Sequence, residues 1–315
     1  MYRFISSRDI TELHTAYKKL YKRDLNKKWD KYVQECPDLA EAMKPGMTAK
    51  KLLVADFNQL VDVYFHYLNY INSLSEAQRT AVNNAAEKVF TYSSFSTKIA
   101  HFLLDPENEF EIHNCVYCDT EKVSPFNKNG KRIRRFETEH VLDKGTCPLV
   151  ALSLHNFVPS CGTCNGPDVK GTSTIGTTVD EIKRLSPTNP SYDFWHKVLF
   201  VVNPMLQDIA NIKRENNPNN YEIDFYYQDK VYKHSVKLFG LKERYNTDYL
   251  MAALRLLDAK DRLTSKSVAD AAAIFGMTSE EYFENQFHVE VFRNEHKPFR
   301  KIREDLLGIT QLEQV

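Results

Sequence analysis

Two short cysteine pairs are the first feature of this sequence whose residue types and spacing could do chemistry. Each has the form C-x-x-C, formed by Cys115 with Cys118 and by Cys161 with Cys164, and roughly 40 residues separate the pairs. A C-x-x-C turn presents two thiolates to one ion, and four thiolates suit tetrahedral Zn²⁺ in a closed, structural site. The sequence therefore predicts a structural zinc that clamps the intervening segment. Two unrelated redox or surface pairs are the alternative.

Between the cysteine pairs, and directly after the second, lie residues that suit phosphodiester hydrolysis. Such a reaction needs a base that activates water and a divalent cation that stabilises the charge developing on the phosphate. His140 is the candidate base, because a neutral imidazole titrates near operating pH. Glu139 and Asn165 offer hard oxygen ligands for a catalytic Mg²⁺ or Mn²⁺.

A strand that ends at Glu139 and His140 is required if both are to serve one centre. Neighbouring side chains on a strand point to opposite faces, so they share a centre only where the strand ends or bends. Asp143-Lys144-Gly145 fits a loop that begins there, and Asn156 is a candidate for holding this loop through backbone hydrogen bonds. A Glu-His pair taken alone is usually a surface feature. The hypothesis depends on finding it inside a zinc clamp.

The order of these residues resembles the HNH endonuclease family, which has a zinc-bound ββα-metal fold. The resemblance is carried by the first C-x-x-C, then by the run EHVLDKGTCPLVALSLHNFVPSCGTCNG at residues 139–166, and by the lysine that follows. The same run is similar to HNH proteins of bacterial anti-phage defence systems such as the Septu type. It is specific over about 60 residues, from 115 to 171.

The resemblance implies a role for each matching residue. It makes His140 the general base, Glu139 and Asn165 the catalytic cation ligands, Asn156 the residue that orients the loop, and Lys170 a phosphate contact. Two departures from the family pattern are Glu139, where Asp is usual, and Gly166-Pro167 at the start of the final helix. The resemblance also implies DNA as the substrate and an ATPase as a partner protein. It leaves a homo-oligomer open.

A basic cluster precedes the predicted catalytic strand. Lysines and arginines number 42, as do aspartates and glutamates, so the chain has no net charge and any nucleic-acid surface must be local. We interpret the cluster as a phosphate-binding surface, and a solvated hairpin is the alternative. Its residues are Lys128, Lys131, Arg132, Arg134 and Arg135. Residues 267–284 have a helix-turn-helix pattern, which is a second candidate for binding DNA. Its second helix presents three glutamates, and phosphate would repel them.

The helices and strands that must position these residues can be predicted from the spacing of hydrophobic residues and from residues that favour turns. Residues 10–21, 52–74 and 76–102 have helical spacing, 133–138 alternate as a strand, and Asn129-Gly130 predicts a tight turn. Residues 222–227 and 230–236 resemble a hairpin, and helices are expected at 247–259, 267–275 and from Ser279. The predicted fold is α+β. It has a helical domain (1–108), a zinc-stapled ββα-metal HNH module (109–190) and a C-terminal α+β region (191–315).

The sequence thus predicts an HNH-type endonuclease with structural zinc. It contains neither a signal peptide pattern nor a membrane-length apolar stretch, so we expect a cytoplasmic protein without a membrane partner. The rival hypothesis is a non-catalytic zinc-binding adaptor for protein or nucleic acid. Cleavage of DNA with Mg²⁺ or Mn²⁺, blocked by a chelator, separates the two.

Overall fold

The computed structural model describes residues 1–21, 24–205, 214–289 and 297–309. These residues form helices and three small antiparallel sheets, which confirms the predicted α+β class. Chain contacts divide them into two compact units. We call these the helical unit, residues 2–117 and 123–192, and the C-terminal unit, residues 1, 118–122 and 193–315. Residues 1–108 and 109–190, which the sequence analysis treats as two domains, lie almost entirely in the same unit.

The helical unit begins with seven helices. They are α1 (Ile10–Lys19), α2 (Asp24–Glu35), α3 (Asp38–Ala42), α4 (Ala49–Leu52), α5 (Phe57–Asn72), α6 (Glu76–Val89) and α7 (Ser96–Leu104). Two of them start with a reciprocal capping box, at Asp56 with Gln59 for α5 and at Ser75 with Gln78 for α6. Each box satisfies backbone N–H groups that the first turn leaves without intrahelical partners. The sequence predicts one helical run over 76–102. The structure has two helices there, α6 and α7, and the chain leaves the α-helix after Val89.

Large buried aromatic side chains form the core of the helical unit. Tyr17, Phe57, Tyr67 and Phe90 are each at most 2% exposed. Two hydrogen bonds tie this core to the segment before β4: the Tyr17 hydroxyl donates to the Leu152 carbonyl (2.9 Å), and the Leu154 amide donates to the Leu53 carbonyl (2.8 Å). The helices thus fix the backbone next to the candidate site.

Two short sheets complete the helical unit, with two further helices. The elements are β1 (Phe126–Lys128), β2 (Lys131–Ile133), β3 (Glu137–His140), β4 (Phe157–Ser160), α8 (Gly162–Asn165) and α9 (Val179–Leu185). Asn129 and Gly130 have positive φ angles of 51° and 71°, as the predicted tight turn between β1 and β2 requires. The single strand predicted for 133–138 is wrong. The chain leaves one hairpin after Ile133 and enters a different sheet, where β3 pairs antiparallel with β4.

The C-terminal unit is built on one antiparallel strand pair. Its elements are α10 (Phe194–Lys197), β5 (Val198–Pro204), β6 (Tyr221–Tyr227), α11 (Lys233–Leu238), α12 (Leu241–Asp261), α13 (Ser265–Phe275), α14 (Ser279–Gln286) and α15 (Arg300–Leu307). The predicted hairpin of residues 222–227 with 230–236 is wrong, because β6 pairs with β5. Residues 230–238 form a short 3₁₀ turn and α11, in which Tyr232 and Val236 bury one helical face. The helix expected from Ser279 is confirmed as α14, which begins with a capping box between Thr278 and Glu281.

The sequence predicts that no segment of the chain crosses a membrane, and the length and hydropathy of the helices bear on this prediction. Among the described residues, none of the helices combines the length and the apolar character that crossing a bilayer requires.

Candidate functional site

The four cysteines of the two C-x-x-C pairs meet at one point. Their sulfur atoms all lie within 4.8 Å of one another, and all four residues are buried. Tetrahedral zinc with Zn–S bonds of about 2.3 Å places its sulfurs roughly 3.8 Å apart, so a small contraction fits this ion. None of the six cysteines forms a disulfide. The donor set can therefore hold a metal such as zinc, as the spacing predicted.

Helix α8 carries one half of this cluster. Cys161 caps the helix, and its sulfur accepts a hydrogen bond from the Cys164 amide at 3.4 Å. Such a bond stabilises negative charge on the sulfur, which favours the thiolate that metal binding requires. Asn165 ends the helix half-buried, and α8 packs against β3. A metal at the cysteines would fix the position of Asn165 relative to the strand that bears Glu139 and His140.

His140 lies at the last position of β3, where the sequence analysis required the strand to end. Its imidazole packs edge-on against Tyr92 and Phe157, at ring-centroid distances of 4.5 and 4.8 Å. Nε2 lies 3.0 Å from the Ala151 carbonyl oxygen. A carbonyl only accepts, so Nε2 carries the proton and the neutral ring has its lone pair on Nδ1.

Burial keeps this imidazole neutral. Desolvation, followed by the positive charge of Lys144, lowers the pKa of His140 to about 3. At physiological pH the ring is therefore neutral. The hydrogen bond from Nε2 to the Ala151 carbonyl orients the ring and so fixes the position of Nδ1, which carries the unshared electron pair. This is the protonation state that a general base needs before it acts.

Asn156 holds the loop between β3 and β4 closed at its base. It is fully buried, and its side chain makes three hydrogen bonds with the backbone. Oδ1 accepts from the Leu142 amide at 2.7 Å, while Nδ2 donates to the Leu142 carbonyl at 3.0 Å and to the Val150 carbonyl at 3.1 Å. The Asn156 carbonyl also accepts from the Val141 amide at 2.9 Å. The loop-orienting contacts predicted for Asn156 are present.

Glu139 is buried in an ion pair with Lys170. The Lys170 Nζ lies 2.6 Å from Glu139 Oε1 and donates to the His140 carbonyl at 2.9 Å. Burial raises the pKa of Glu139, and the charge of Lys170 opposes that shift. Lys170 is only 1% exposed, so in this arrangement its ammonium faces the candidate site and not the surface. The phosphate contact predicted for Lys170 is not seen in this arrangement, and its contact with Glu139 was not predicted.

The basic cluster lies on the exposed β1–β2 hairpin and the residues that follow it. Lys128, Lys131, Arg132, Arg134 and Arg135 are all exposed. Beside the hairpin is an open groove of about 300 Å³, bounded by α7 on one side and by Arg132 and Arg134 on the other. Arg132 also donates to the Leu104 carbonyl at 2.7 Å, which fixes the hairpin to α7. The helical unit thus has a local positive surface next to β3, although the chain has no net charge.

Three partners of the site residues had no signal in the sequence. Tyr92 packs against His140 from 48 residues upstream, and the Ala151 carbonyl orients the same ring through the backbone. Lys144, whose ammonium lies 5.4 Å from the centre of the Tyr92 ring, adds positive charge near His140. Contacts of these kinds depend on tertiary packing, which residue spacing alone does not reveal.

Comparison of the chain with protein-family models, curated proteins and solved structures gives no match. Any function must therefore be inferred from the residues and geometry of the site itself.

Proposed function

We propose that the protein is a metal-dependent endonuclease of the HNH type that hydrolyses phosphodiester bonds in DNA. The observation that carries the proposal is His140: a neutral, oriented imidazole at the end of a strand pair that leads into a cysteine-clamped helix. The order of these elements, two antiparallel strands followed by a helix, supports a ββα-metal module. Zinc at the four cysteines would be structural, because four thiolates leave no open position on the ion.

His140 acts as the general base in this proposal. Its Nδ1 lone pair accepts the proton of the attacking water, while the Nε2–H bond to Ala151 holds the ring and disperses the charge it gains. The lowered pKa keeps His140 unprotonated but also makes it a weaker base than free imidazole, so the proposed step depends on a cation that would acidify the attacking water. Removal of a positioned base typically lowers the rate by about 10²–10⁴-fold.

Glu139 and Asn165 are the proposed ligands of the catalytic cation. A carboxylate and an amide oxygen are the donors that Mg²⁺ and Mn²⁺ prefer, and the contact of α8 with β3 brings the two backbone segments together. When bound, the cation would acidify water and stabilise charge on the phosphate. Asn156 acts indirectly, by fixing the backbone on both sides of the His140 ring.

The exposed basic residues are the proposed contact with DNA. Lys131, Arg132, Arg134 and Arg135 would neutralise backbone phosphates beside the site, and they carry no sequence preference by themselves. A defence role, an ATPase partner, a homo-oligomer and a cytoplasmic location stay predictions, and the first two follow from the family resemblance alone.

A specific observation favours the rival hypothesis, a non-catalytic zinc module. Glu139 forms an ion pair with Lys170, and His140 is only 5% exposed. Buried polar residues with a purely structural role have the same features. In that case the basic surface would bind nucleic acid without cutting it.

Cleavage of plasmid DNA by the purified protein, with Mg²⁺ or Mn²⁺ and with a chelator, tests the proposal. We expect His140→Ala to reduce the cleavage rate by at least about 10²-fold while zinc content and DNA binding stay near wild type. His155→Ala is a matched control, because its imidazole is half-buried and desolvation likewise lowers its pKa, to about 4. It should lose stability and retain cleavage. Equal cleavage by wild type and folded His140→Ala would refute the assignment.

A further inference from the structure

The Lys170 ammonium is paired with the carboxylate that the proposed function assigns to the catalytic cation. It is 2.6 Å from Glu139 Oε1, and the two side chains are 1% and 6% exposed. The same ammonium donates to the carbonyl of His140, the proposed base. A positive charge from this chain therefore already neutralises the carboxylate that the proposed function assigns to Mg²⁺ or Mn²⁺.

Lys170 and a divalent cation compete for this carboxylate. Bonds from oxygen to Mg²⁺ are about 2.1 Å long, so a cation on the same carboxylate would lie within a few ångströms of the ammonium. Two like charges at that distance in a buried site repel strongly. Lys144 adds further positive charge nearby, since it also affects the pKa values of Glu139 and His140.

The backbone around Lys170 is held, so release would involve the side chain. The Lys170 amide donates to the Cys164 carbonyl at 3.3 Å, and its carbonyl accepts from the Ser173 amide at 2.8 Å. Gly171 follows with a positive φ of 47°, and a Cβ there would lie 3.1–3.2 Å from Pro167 backbone atoms. The flexible four-carbon stem of Lys170 can nevertheless swing its ammonium away while the turn stays in place.

We propose that Lys170 is a resident cation of the site, and that binding of the divalent cation to Glu139 releases its ammonium toward the substrate phosphate. This inference rests on the proposed function, because it assigns a regulatory step to the same site. Lys170 is a positioning residue in the metal-free chain and a phosphate ligand in the loaded one. The divalent cation and the DNA would then bind cooperatively, because the first ligand liberates a charge that the second one uses.

Chemical labelling of the Lys170 amine in the zinc-loaded wild-type protein tests the exchange. An amine-acylating reagent is applied with and without saturating Mn²⁺, the labelled peptides are quantified by mass spectrometry, and Mn²⁺ binding is followed by electron paramagnetic resonance. We expect labelling of Lys170 to accelerate by at least about tenfold on Mn²⁺ binding, since the equilibrium shifts from held to released. Lys301 is the matched control: it is fully buried and paired with Asp305, and its labelling should not change.

The Glu139→Gln variant supplies the reference for a site without the carboxylate. Its Lys170 should label at the same rate with and without Mn²⁺, because the hydrogen bond to the His140 carbonyl is the same in both conditions. Mn²⁺-accelerated labelling of Lys170 in Glu139→Gln, or slow labelling of wild type with Mn²⁺ demonstrably bound, would overturn the exchange. Absence of Glu139-dependent Mn²⁺ binding would overturn it together with the cation site, whereas bound Mn²⁺ and intact cleavage with a protected Lys170 would overturn the exchange alone.

Discussion

Replacement of Asn156 by alanine tests how the active loop is held. The substitution removes three hydrogen bonds. It leaves the Leu142 amide and the Leu142 carbonyl without these partners in a fully buried position, whereas the Val150 carbonyl still accepts from the Ser153 amide at 3.3 Å. An unsatisfied buried group costs about 1–3 kcal/mol. At the lower end for each of the two Leu142 groups, the free energy of unfolding falls by about 2 kcal/mol. For a unit of this size that lowers Tm by roughly 4–8 °C.

Urea denaturation of the zinc-loaded protein measures this loss, with plasmid cleavage as the second readout. The midpoint should fall with an unchanged m value, and cleavage should fall further than stability explains, because Leu142 is two residues from His140. Asn189→Ala is the matched control: Asn189 is also buried, and it donates to Asn58 Oδ1 and the Lys183 carbonyl. A loss below about 1 kcal/mol, or equal cleavage defects in both variants, would refute the reasoning.

Three further predictions concern other parts of the chain. Cys161→Ser should abolish zinc binding and destabilise the helical unit, and metal analysis that finds no zinc in folded wild type would contradict the proposed site. Reversal of Arg134 and Arg135 to glutamate should weaken DNA binding equally for all sequences. It should also lower the slope of log K against log salt by about 2, measured by fluorescence anisotropy at several salt concentrations. Lys301→Met should cost about 3–5 kcal/mol in the C-terminal unit, because it removes the ammonium that neutralises the buried Asp305 carboxylate, and a calorimetric transition at the wild-type temperature would contradict this.

Local signals in the sequence predicted local structure well. The helical spacing of α5, the turn at Asn129-Gly130 and the helix start at Ser279 each depend on residues close together in the chain, and all three are present. The cysteine cluster was also predictable, because the short spacing of a C-x-x-C pair places two thiols where they can bind one ion. The end of β3 at His140 agrees with the loop that Asp143-Lys144-Gly145 predicts, although the strand predicted for 133–138 had other bounds.

Pairings between distant segments were not predictable. Polar and apolar residues alternate over 230–236, which resembles a strand. The partner of β6 is instead the upstream strand β5, and tertiary packing decides between the two pairings. Lys170 lies 31 residues after Glu139, and nothing in its neighbourhood distinguishes a buried ion pair from a surface phosphate contact. Residues on both sides of the predicted 108/109 boundary belong to the same compact unit, and the helices are hydrogen-bonded to residues 152 and 154.

The closed base of the loop at residues 141–156 has a consequence for how this site can diversify. Asn156 fixes both ends of the loop, whereas Lys144, Gly145 and Thr146 at its tip are exposed. Each doubling of loop length adds only about 0.6 kcal/mol of closure entropy, so an insertion at the tip leaves His140 where it is. Residues that read the shape of a substrate can therefore be added at Gly145 without rebuilding the chemistry beneath them.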